Sequence, residues 1–479
     1  MGWGYAGRIM ELDHEPTAPT PAGRVDSPAG DRPRAVVVAV GDELVLGEKL
    51  DSNSQWLADR LTAAGLSVVE HRTLPDDRRA IAGAIAELAR RFDAVVVGGG
   101  LGPTADDLTR AALADALGAL AGHPEPLVQD AQALSAIEAV FARQGRPMPP
   151  TNAQQAYRPA SARCLPNAMG TAPGLLARPV VDGRTRLIAC LPGPPVEMRA
   201  MFESQLAGVL SSLPGSRALA MTLVLVFGLG ESELAERLAD LMHREHNPQV
   251  GTTASAGVVA CRVRADPSRP VRGPYAGQDL SDAVEQAVAI IESRCAGHVA
   301  CRGLAEPAQA VLAEAAGLGV QVVTAESCTG GLLGRLLTDP PGSSRAYAGG
   351  WVTYSNQMKQ DQLGVPRTLL ETVGAVSGPV ALAMARGALE RSGAGLALSI
   401  TGIAGPDGGT SEKPVGTVWI AGVMPDRPAI VRCFRFPGDR GTIRRWSAHT
   451  ALFIGLLAMR GQTDVPLLRQ VSQMPDEGA

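Results

Sequence analysis

In this 479-residue chain the first residues to suggest chemistry are a serine and a lysine. Ser327 lies in Val320–Gly331, VQVVTAESCTGG, where a β-branched run ends in small polar residues and a glycine pair. An apolar helical pattern follows at 332–337, so the order predicts a strand, a tight turn holding Ser327 and Thr329, and a helix start. Such a turn aims backbone N–H groups and a hydroxyl at whatever binds there, and the helix start favours an anion. Ser327 is therefore a candidate nucleophile or phosphate ligand; the plain alternative is that Ser327 or Thr329 caps the helix. Lysine usage bears on that choice. Lys and Arg total 44, yet the only lysines are Lys49, Lys359 and Lys413. Arginine stays protonated in a protein, whereas lysine can act as a base. Lys359 sits in WVTYSNQMK, 32 residues after Ser327 and just past an apparent strand at 350–354. A Ser–Lys pair performs acyl transfer without histidine, and burial would bring such a lysine into the working range. Between Arg302 and the C-terminus the one histidine is His449, inside a helical pattern, so a Ser-His-Asp triad lacks an obvious base. Cys328 is the rival nucleophile, since a thiol in such a turn can have a lowered pKa.

A second constellation is GGGLGPTADDLT at 98–109. Its glycines allow a backbone nest that approaches a phosphate. Asp106 and Asp107 follow at a helix start, where they either cap the helix or hold a divalent metal beside the phosphate. GDELVLGEKLDSN (41–53) precedes this loop, and PTNAQQAY (150–157), NAMGTAPG (167–174) and LPGPPVEM (191–198) follow it. Lys49 either meets a phosphate or faces solvent. The same alternative holds for Lys413 in the long loop GIAGPDGGTSEKPVG.

The elements that must position these residues can be read in order. Residues 1–33, rich in Pro, Gly, Asp and Arg without periodicity, read as a disordered leader. Strands at 35–40, 66–73 and 94–97 alternate with helices at 53–64 and 77–92, which predicts a parallel sheet binding ligands beyond the strands' carboxyl ends. A small α+β unit follows, with strands at 219–227 and 258–263 and helices at 233–243 and 280–295. The turn GLGES (228–232) carries Glu231, and Glu233 follows it, so a nucleic-acid clamp is not expected and a spacer or dimerisation role is favoured. The last domain opens near Arg302, with a helix at 307–316, a buried strand at 396–400, an antiparallel pair at 417–423 and 430–436, and a closing helix at 442–460. After Gly461 the chain is polar and reads as frayed.

Composition narrows the function classes. The chain is 45% apolar and 19% charged, with a net charge of −4 and 4% aromatics. It lacks the basic bias of a nucleic-acid binder, the aromatic platforms for single strands and any stretch approaching twenty uninterrupted apolar residues. Seven scattered cysteines without zinc-site spacing suit reduced thiols, and Glu11, Asp13 and Glu15 stand where an export signal would be apolar. A cytoplasmic protein is expected.

ESCTGG (326–331), YSNQMK (354–359), TGIAGPDGG (401–409), KPVGTV (413–418) and GDRGTIRR (438–445) together resemble the C-terminal domain of CinA-like proteins, the nicotinamide-nucleotide amidohydrolase or NMN deamidase. The motifs around 98–109 resemble that family's N-terminal domain, akin to the molybdopterin-binding MoaB/Mog fold, which in some relatives hydrolyses ADP-ribose. Residues 214–301 resemble its KH-like middle domain. The resemblance implies a multi-domain α/β protein: a parallel three-layer domain at 34–213, a small α+β domain at 214–301, an α/β domain at 302–463 and a tail at 464–479. It implies Ser327 as nucleophile, Lys359 as general base and Tyr354 as their hydrogen-bonding partner. Ser344, Thr401, Thr329 and Gly330 would line the amide and oxyanion site, and Arg440 would meet the nucleotide phosphate. In the N-terminal domain Gly99, Gly100, Gly102, Thr104, Asp42, Glu43 and Asn53 would bind a phosphate or nucleotide, with Asp106 and Asp107 at a divalent metal. The deamidase needs no cofactor, and a homodimer without membrane or nucleic-acid partners is expected. The rival reading is a non-catalytic competence- or DNA-damage-associated interaction protein whose N-terminal domain binds a nucleotide or pterin. Two departures from the family pattern stand out. Gly98 replaces a usual Thr or Ser, and Gly378, in Val376-Ser377-Gly378, replaces a usual Glu.

Overall fold

The computed structural model describes residues 32–304 and 306–475, so nearly all of the expected leader lies outside the described residues. The chain divides near residue 216 into two compact units.

The first unit is built on a six-stranded sheet. Its members are β1 (Arg34–Val40), β2 (Ser67–Leu74), β3 (Ala94–Gly98), β4 (Arg163–Leu165), β5 (Gly174–Ala177) and β6 (Leu187–Leu191), in the order β2-β1-β3-β6-β5-β4. Strands β2, β1, β3 and β6 run parallel, while β5 and β4 add on antiparallel. The continuous apolar runs of β1 and β3 follow from burial on both faces. Val36, Val38, Val95 and Val97 pack with Ile81 and Ile85 of α1 (Arg78–Arg91) and Leu113 and Leu117 of α2 (Thr109–Ala121). Val37 and Val96 point the other way and are equally buried. Asp77 starts α1 by accepting the Ala80 N–H at 2.7 Å, and Gly122 ends α2 in the left-handed conformation.

The second unit holds the remaining two sequence domains. Strands β7 (Ala220–Phe227), β8 (Gln249–Ser255), β9 (Val258–Ala265) and β10 (Val299–Arg302) form an antiparallel sheet in the order β8-β9-β7-β10. One face carries Val224, Val226, Cys261 and Val263 against α3 (Leu280–Arg294). The alternate residues Leu225, Phe227 and Val258 join the core of the C-terminal domain, where the Phe227 and Phe453 rings stack at 4.9 Å. The middle sheet thus forms a wall of the C-terminal domain, which is why contacts do not separate the two.

The C-terminal domain runs α4 (Pro307–Gly317), β11 (Val322–Glu326), α5 (Leu332–Thr338), β12 (Tyr347–Val352), α6 (Asn356–Leu363), α7 (Gly378–Ser392), β13 (Leu396–Gly402), β14 (Thr417–Val423), β15 (Ile430–Arg435), α8 (Arg440–Arg460) and β16 (Gln470–Gln473). Its sheet order is β12-β11-β13-β14-β15-β16, parallel across the first three strands and antiparallel beyond. Period-two alternation splits the sheet between two helical layers. Val322, Leu398 and Ile420 face α4, α5 and α8, whereas Val323, Ala397 and Ala421 face α7.

The tail departs from its expected fraying. The buried guanidinium of Arg432 donates to the carbonyls of Thr463 and Val465 and to Gln470 Oε1, and β16 then pairs with β15. Leu468 N–H also donates to the Gly228 carbonyl of the middle domain at 2.8 Å. Polarity hid this strand because its stabilising partner is a buried arginine. Gly378 is explained by the same tail. A Cβ at 378 would lie 2.2 Å from Met474 Sδ and 2.7 Å from a Trp419 ring carbon, so the tail occupies the space a larger residue would need.

Candidate active site

Strand β11 ends at Glu326, and the chain turns through Ser327–Gly331 before α5. Gly330 (φ +58°) and Gly331 (φ +92°) take left-handed conformations there, which explains the glycine pair. Ser327 N–H donates to the Ile400 carbonyl of β13 at 2.9 Å, fixing the Ser327 peptide to the sheet.

Lys359 reaches this turn from α6, whose N-cap Ser355 accepts the Met358 N–H at 3.1 Å. The lysine is 1% exposed. Its Nζ lies 3.0 Å from Ser327 Oγ and donates to the carbonyls of Thr353 at 2.9 Å and Tyr354 at 3.4 Å. Among the described residues no carboxylate pairs with it, and burial pushes the amine down from 10.5 to about 8. A neutral amine has two N–H donors and one lone pair. The two carbonyls take the donors and leave the lone pair for the Ser327 hydroxyl, so the geometry suits a base. Cys328 is buried in the apolar core, and burial pushes its thiol up to about 12, which removes it as a rival.

Other expected residues are placed differently. The Tyr354 side chain is 60% exposed, and its Oη accepts from Arg440 Nη2 at 3.0 Å; only its backbone carbonyl touches Lys359. Among the described residues no side-chain hydrogen bond of Tyr354 joins it to Ser327 or Lys359, in place of the partnership expected of it. Thr401 is buried with its hydroxyl donating to the Ala375 carbonyl at 2.8 Å, so it stiffens β13 instead of presenting a free hydroxyl. Ser344 is exposed in the short turn Ser343–Arg345, and among the described residues no hydrogen bond ties it to Ser327 or Lys359. Thr329 is fully buried, and among the described residues its hydroxyl finds no partner. Arg440, at the start of α8, also donates to the Gly405 carbonyl at 2.9 Å, and Lys413 donates to the Val373 carbonyl at 2.8 Å, so both hold the 403–416 loop. Sequence reasoning assigned no task to Glu326 and Arg444, which grip the Ser327 turn. Their signal was present, a carboxylate beside Ser327 and an arginine one helical turn after Arg440.

The start of α5 is closed to anions. The Glu326 carboxylate accepts the N–H groups of Gly331 at 3.0 Å, Leu333 at 3.0 Å and Gly334 at 2.8 Å. The anion favoured by that helix start is therefore the protein's own.

In the first unit, Glu43, Lys49, Asn53, Gly98, Gly99 and Gly193 line a cleft of about 80 Å³. Asn53 Nδ2 donates to the Gly193 carbonyl at 2.7 Å. A Cβ at Gly99 would lie 2.4 Å from the Val40 carbonyl oxygen, so the nest requires glycine there, whereas Gly98 faces open space that a side chain could fill. Asp107 is not a free metal ligand. Its Oδ1 accepts the Gly102 N–H at 2.6 Å, and its Oδ2 accepts the Thr104 N–H at 2.8 Å and the Thr104 hydroxyl at 2.5 Å. Among the described residues no group of three or more His, Cys, Asp or Glu side chains is arranged to hold a metal. Asp42 and Asp76 exchange backbone-to-carboxylate bonds at 3.0 and 3.1 Å, and burial followed by the neighbouring acids pushes Asp76 up. Lys49 is mostly exposed, 3.9 Å from Glu43.

Comparison with known proteins gives three matches in order. Residues 36–212 match the "Probable molybdopterin binding domain", 222–291 the "Damage-inducible protein CinA KH domain" and 304–457 the "CinA C-terminal domain". A CinA-like protein of Parasynechococcus marenigrum is 42% identical over 418 residues, covering 87% of this chain and 96% of the relative. One of Akkermansia muciniphila is 37% identical over 432 residues, covering 90% and 99%. Among solved structures, the competence/damage inducible protein CihA of Agrobacterium tumefaciens is 44% identical, covering 32% of this chain and 93% of that one, with a TM-score of 0.31. Among the described residues no helix is long and apolar enough to cross a membrane.

Proposed function

The chain belongs to the CinA-like family, and from that premise we propose that its C-terminal domain hydrolyses the carboxamide of nicotinamide mononucleotide to the acid and ammonia. The observation that carries this reading is the 3.0 Å approach of a buried, carboxylate-free Lys359 amine to Ser327 Oγ. Neutral Lys359 takes the hydroxyl proton as Oγ attacks the carboxamide carbon. Ser327 N–H is occupied by Ile400, so the oxyanion is held by donors other than the Ser327 peptide. When the C–N bond breaks, the Lys359 ammonium returns its proton to the leaving nitrogen and ammonia departs. Water then attacks the ester carbonyl, Lys359 accepts its proton, and the acid leaves as Ser327 recovers its hydrogen. Arg440 and Tyr354 at the mouth supply a cation and a hydroxyl for the substrate phosphate.

The rival reading, a purely interacting protein, gives no reason to bury an amine beside a hydroxyl at a cost to stability; perturbed groups of this kind concentrate at functional sites. For the N-terminal domain, the glycine nest supports a phosphate-bearing ligand, with ADP-ribose the candidate raised by the resemblance. The Asp107 hydrogen bonds favour binding there over metal-assisted hydrolysis. Incubating the full chain with nicotinamide mononucleotide and measuring ammonia and acid tests the main reading. Equimolar release, lost in Ser327→Ala, is expected; full release by Ser327→Ala overturns it.

A further inference from the structure

The Ser327 turn is held from two sides by side chains that the reaction scheme does not use. Inside, Glu326 is 1% exposed, and its carboxylate gathers three N–H groups at the start of α5. Outside, Arg444 of α8 donates from Nε at 3.2 Å and Nη2 at 2.6 Å to the Thr329 carbonyl. The two grips bracket Gly330 and Gly331, the freest links of the turn. An ordinary helix start would be capped by the side chain at its own N-cap. Here the N-cap is Gly331 with no side chain to offer, and the capping carboxylate belongs to the residue immediately before the nucleophile. The capping bonds thereby tie the residue just before Ser327 to the far end of its own turn.

We propose that Glu326 and Arg444 are positioning residues that lock the 327–331 turn and so keep Ser327 Oγ on Lys359 Nζ. The inference rests on the Ser327–Lys359 reading. With the α5 start occupied by Glu326, that helix start is closed to the substrate phosphate.

The test uses full-length Glu326→Gln and Arg444→Lys. Glutamine keeps the shape but turns an NH₂ toward the α5 N–H groups, and lysine keeps the charge but loses the two-point grip on Thr329. Three readouts are taken: kcat and KM for nicotinamide mononucleotide, the melting temperature, and the rate at which a fluorophosphonate labels Ser327. In labelling, Oγ forms a bond to phosphorus, the P–F bond breaks, fluoride leaves and Lys359 takes the proton. Misplacing a nucleophile by an ångström costs on the order of 10²-fold. Labelling and kcat should therefore fall together by about that factor, with KM within about twofold of wild type. Wild-type labelling rates in both variants, or kcat, KM and melting temperature declining in step, would overturn the proposal. Should Glu326→Gln fail to fold, Arg444→Lys decides by the same criteria. If the wild type labels at Ser327 but leaves nicotinamide mononucleotide intact, the substrate reading fails while the labelling comparison still judges the positioning. A wild type that does not label overturns both.

Discussion

Replacing Lys359 separates a base from a mere cation, because arginine keeps the charge and methionine keeps only the bulk. The amine sits at about 8 in the folded protein against an ordinary 10.5. At pH 7 roughly a tenth of the molecules then hold it neutral, and at pH 9 roughly nine-tenths do. The value of kcat/KM should accordingly rise about tenfold between those pH values and level off above. Lys359→Arg should lose about 10²–10⁴-fold, as should Lys359→Met, since neither can accept the Ser327 proton. Removing the amine affects stability with the opposite sign. Between about pH 8 and 10.5 the unfolded chain binds a proton that the folded chain does not, so wild-type stability rises with pH across that window. The full rise is about 3 kcal/mol at 1.36 kcal/mol per pH unit. At pH 7 the methionine variant escapes that penalty, less about 1 kcal/mol for carbonyls left without donors, and should be more stable by roughly 2 kcal/mol. Denaturant melts at pH 7 and 10, beside pH–rate profiles on nicotinamide mononucleotide, read both effects. An Lys359→Arg enzyme within a few-fold of wild type, or a flat profile from pH 7 to 9, would refute the base assignment.

Three further outcomes follow from the packing. Cys328→Ala should retain deamidation within a few-fold while losing about 1 kcal/mol of stability from the core, as ammonia assays and urea melts would show. Gly378→Glu should drive Met474 and Trp419 apart and destabilise the chain by about 1–3 kcal/mol, with hydrogen exchange rising across 470–474. Asp107→Ala removes the bonds to Gly102 and Thr104, so calorimetric binding of ADP-ribose should weaken by about tenfold or more whether or not a divalent ion is added; loss of affinity only with the ion present would restore Asp107 as a metal ligand.

Much of the fold was legible because burial leaves a periodic trace. The β1 and β3 valine runs announced parallel strands, and the alternation in β9 announced a half-buried one. The candidate serine–lysine pair was legible from residue type: Lys359 is one of three lysines in a chain that otherwise uses arginine, and Ser327 stands between a strand and glycines. What stayed hidden were interactions between residues distant in sequence. Arg432 is a charged residue at the centre of a strand, and its partners lie 31 to 38 residues away in the tail. Tyr354 lies five residues before Lys359, yet its side chain reaches Arg440, 86 positions on. Asp107 read equally well as a cap or a metal ligand, and only the position of the Gly102 and Thr104 N–H groups decided it.

The central claim is a serine acyl-enzyme formed with a lysine base, and trapping that species tests it most directly. Wild-type protein mixed with nicotinamide mononucleotide and quenched in acid within one turnover is digested, and the peptide containing Ser327 is weighed. The account expects that peptide to gain the mass of the substrate less ammonia, with the ester on Ser327 and none in Ser327→Ala. An adduct on Cys328, or ammonia released with no adduct at any quench time and undiminished in Ser327→Ala, would contradict it.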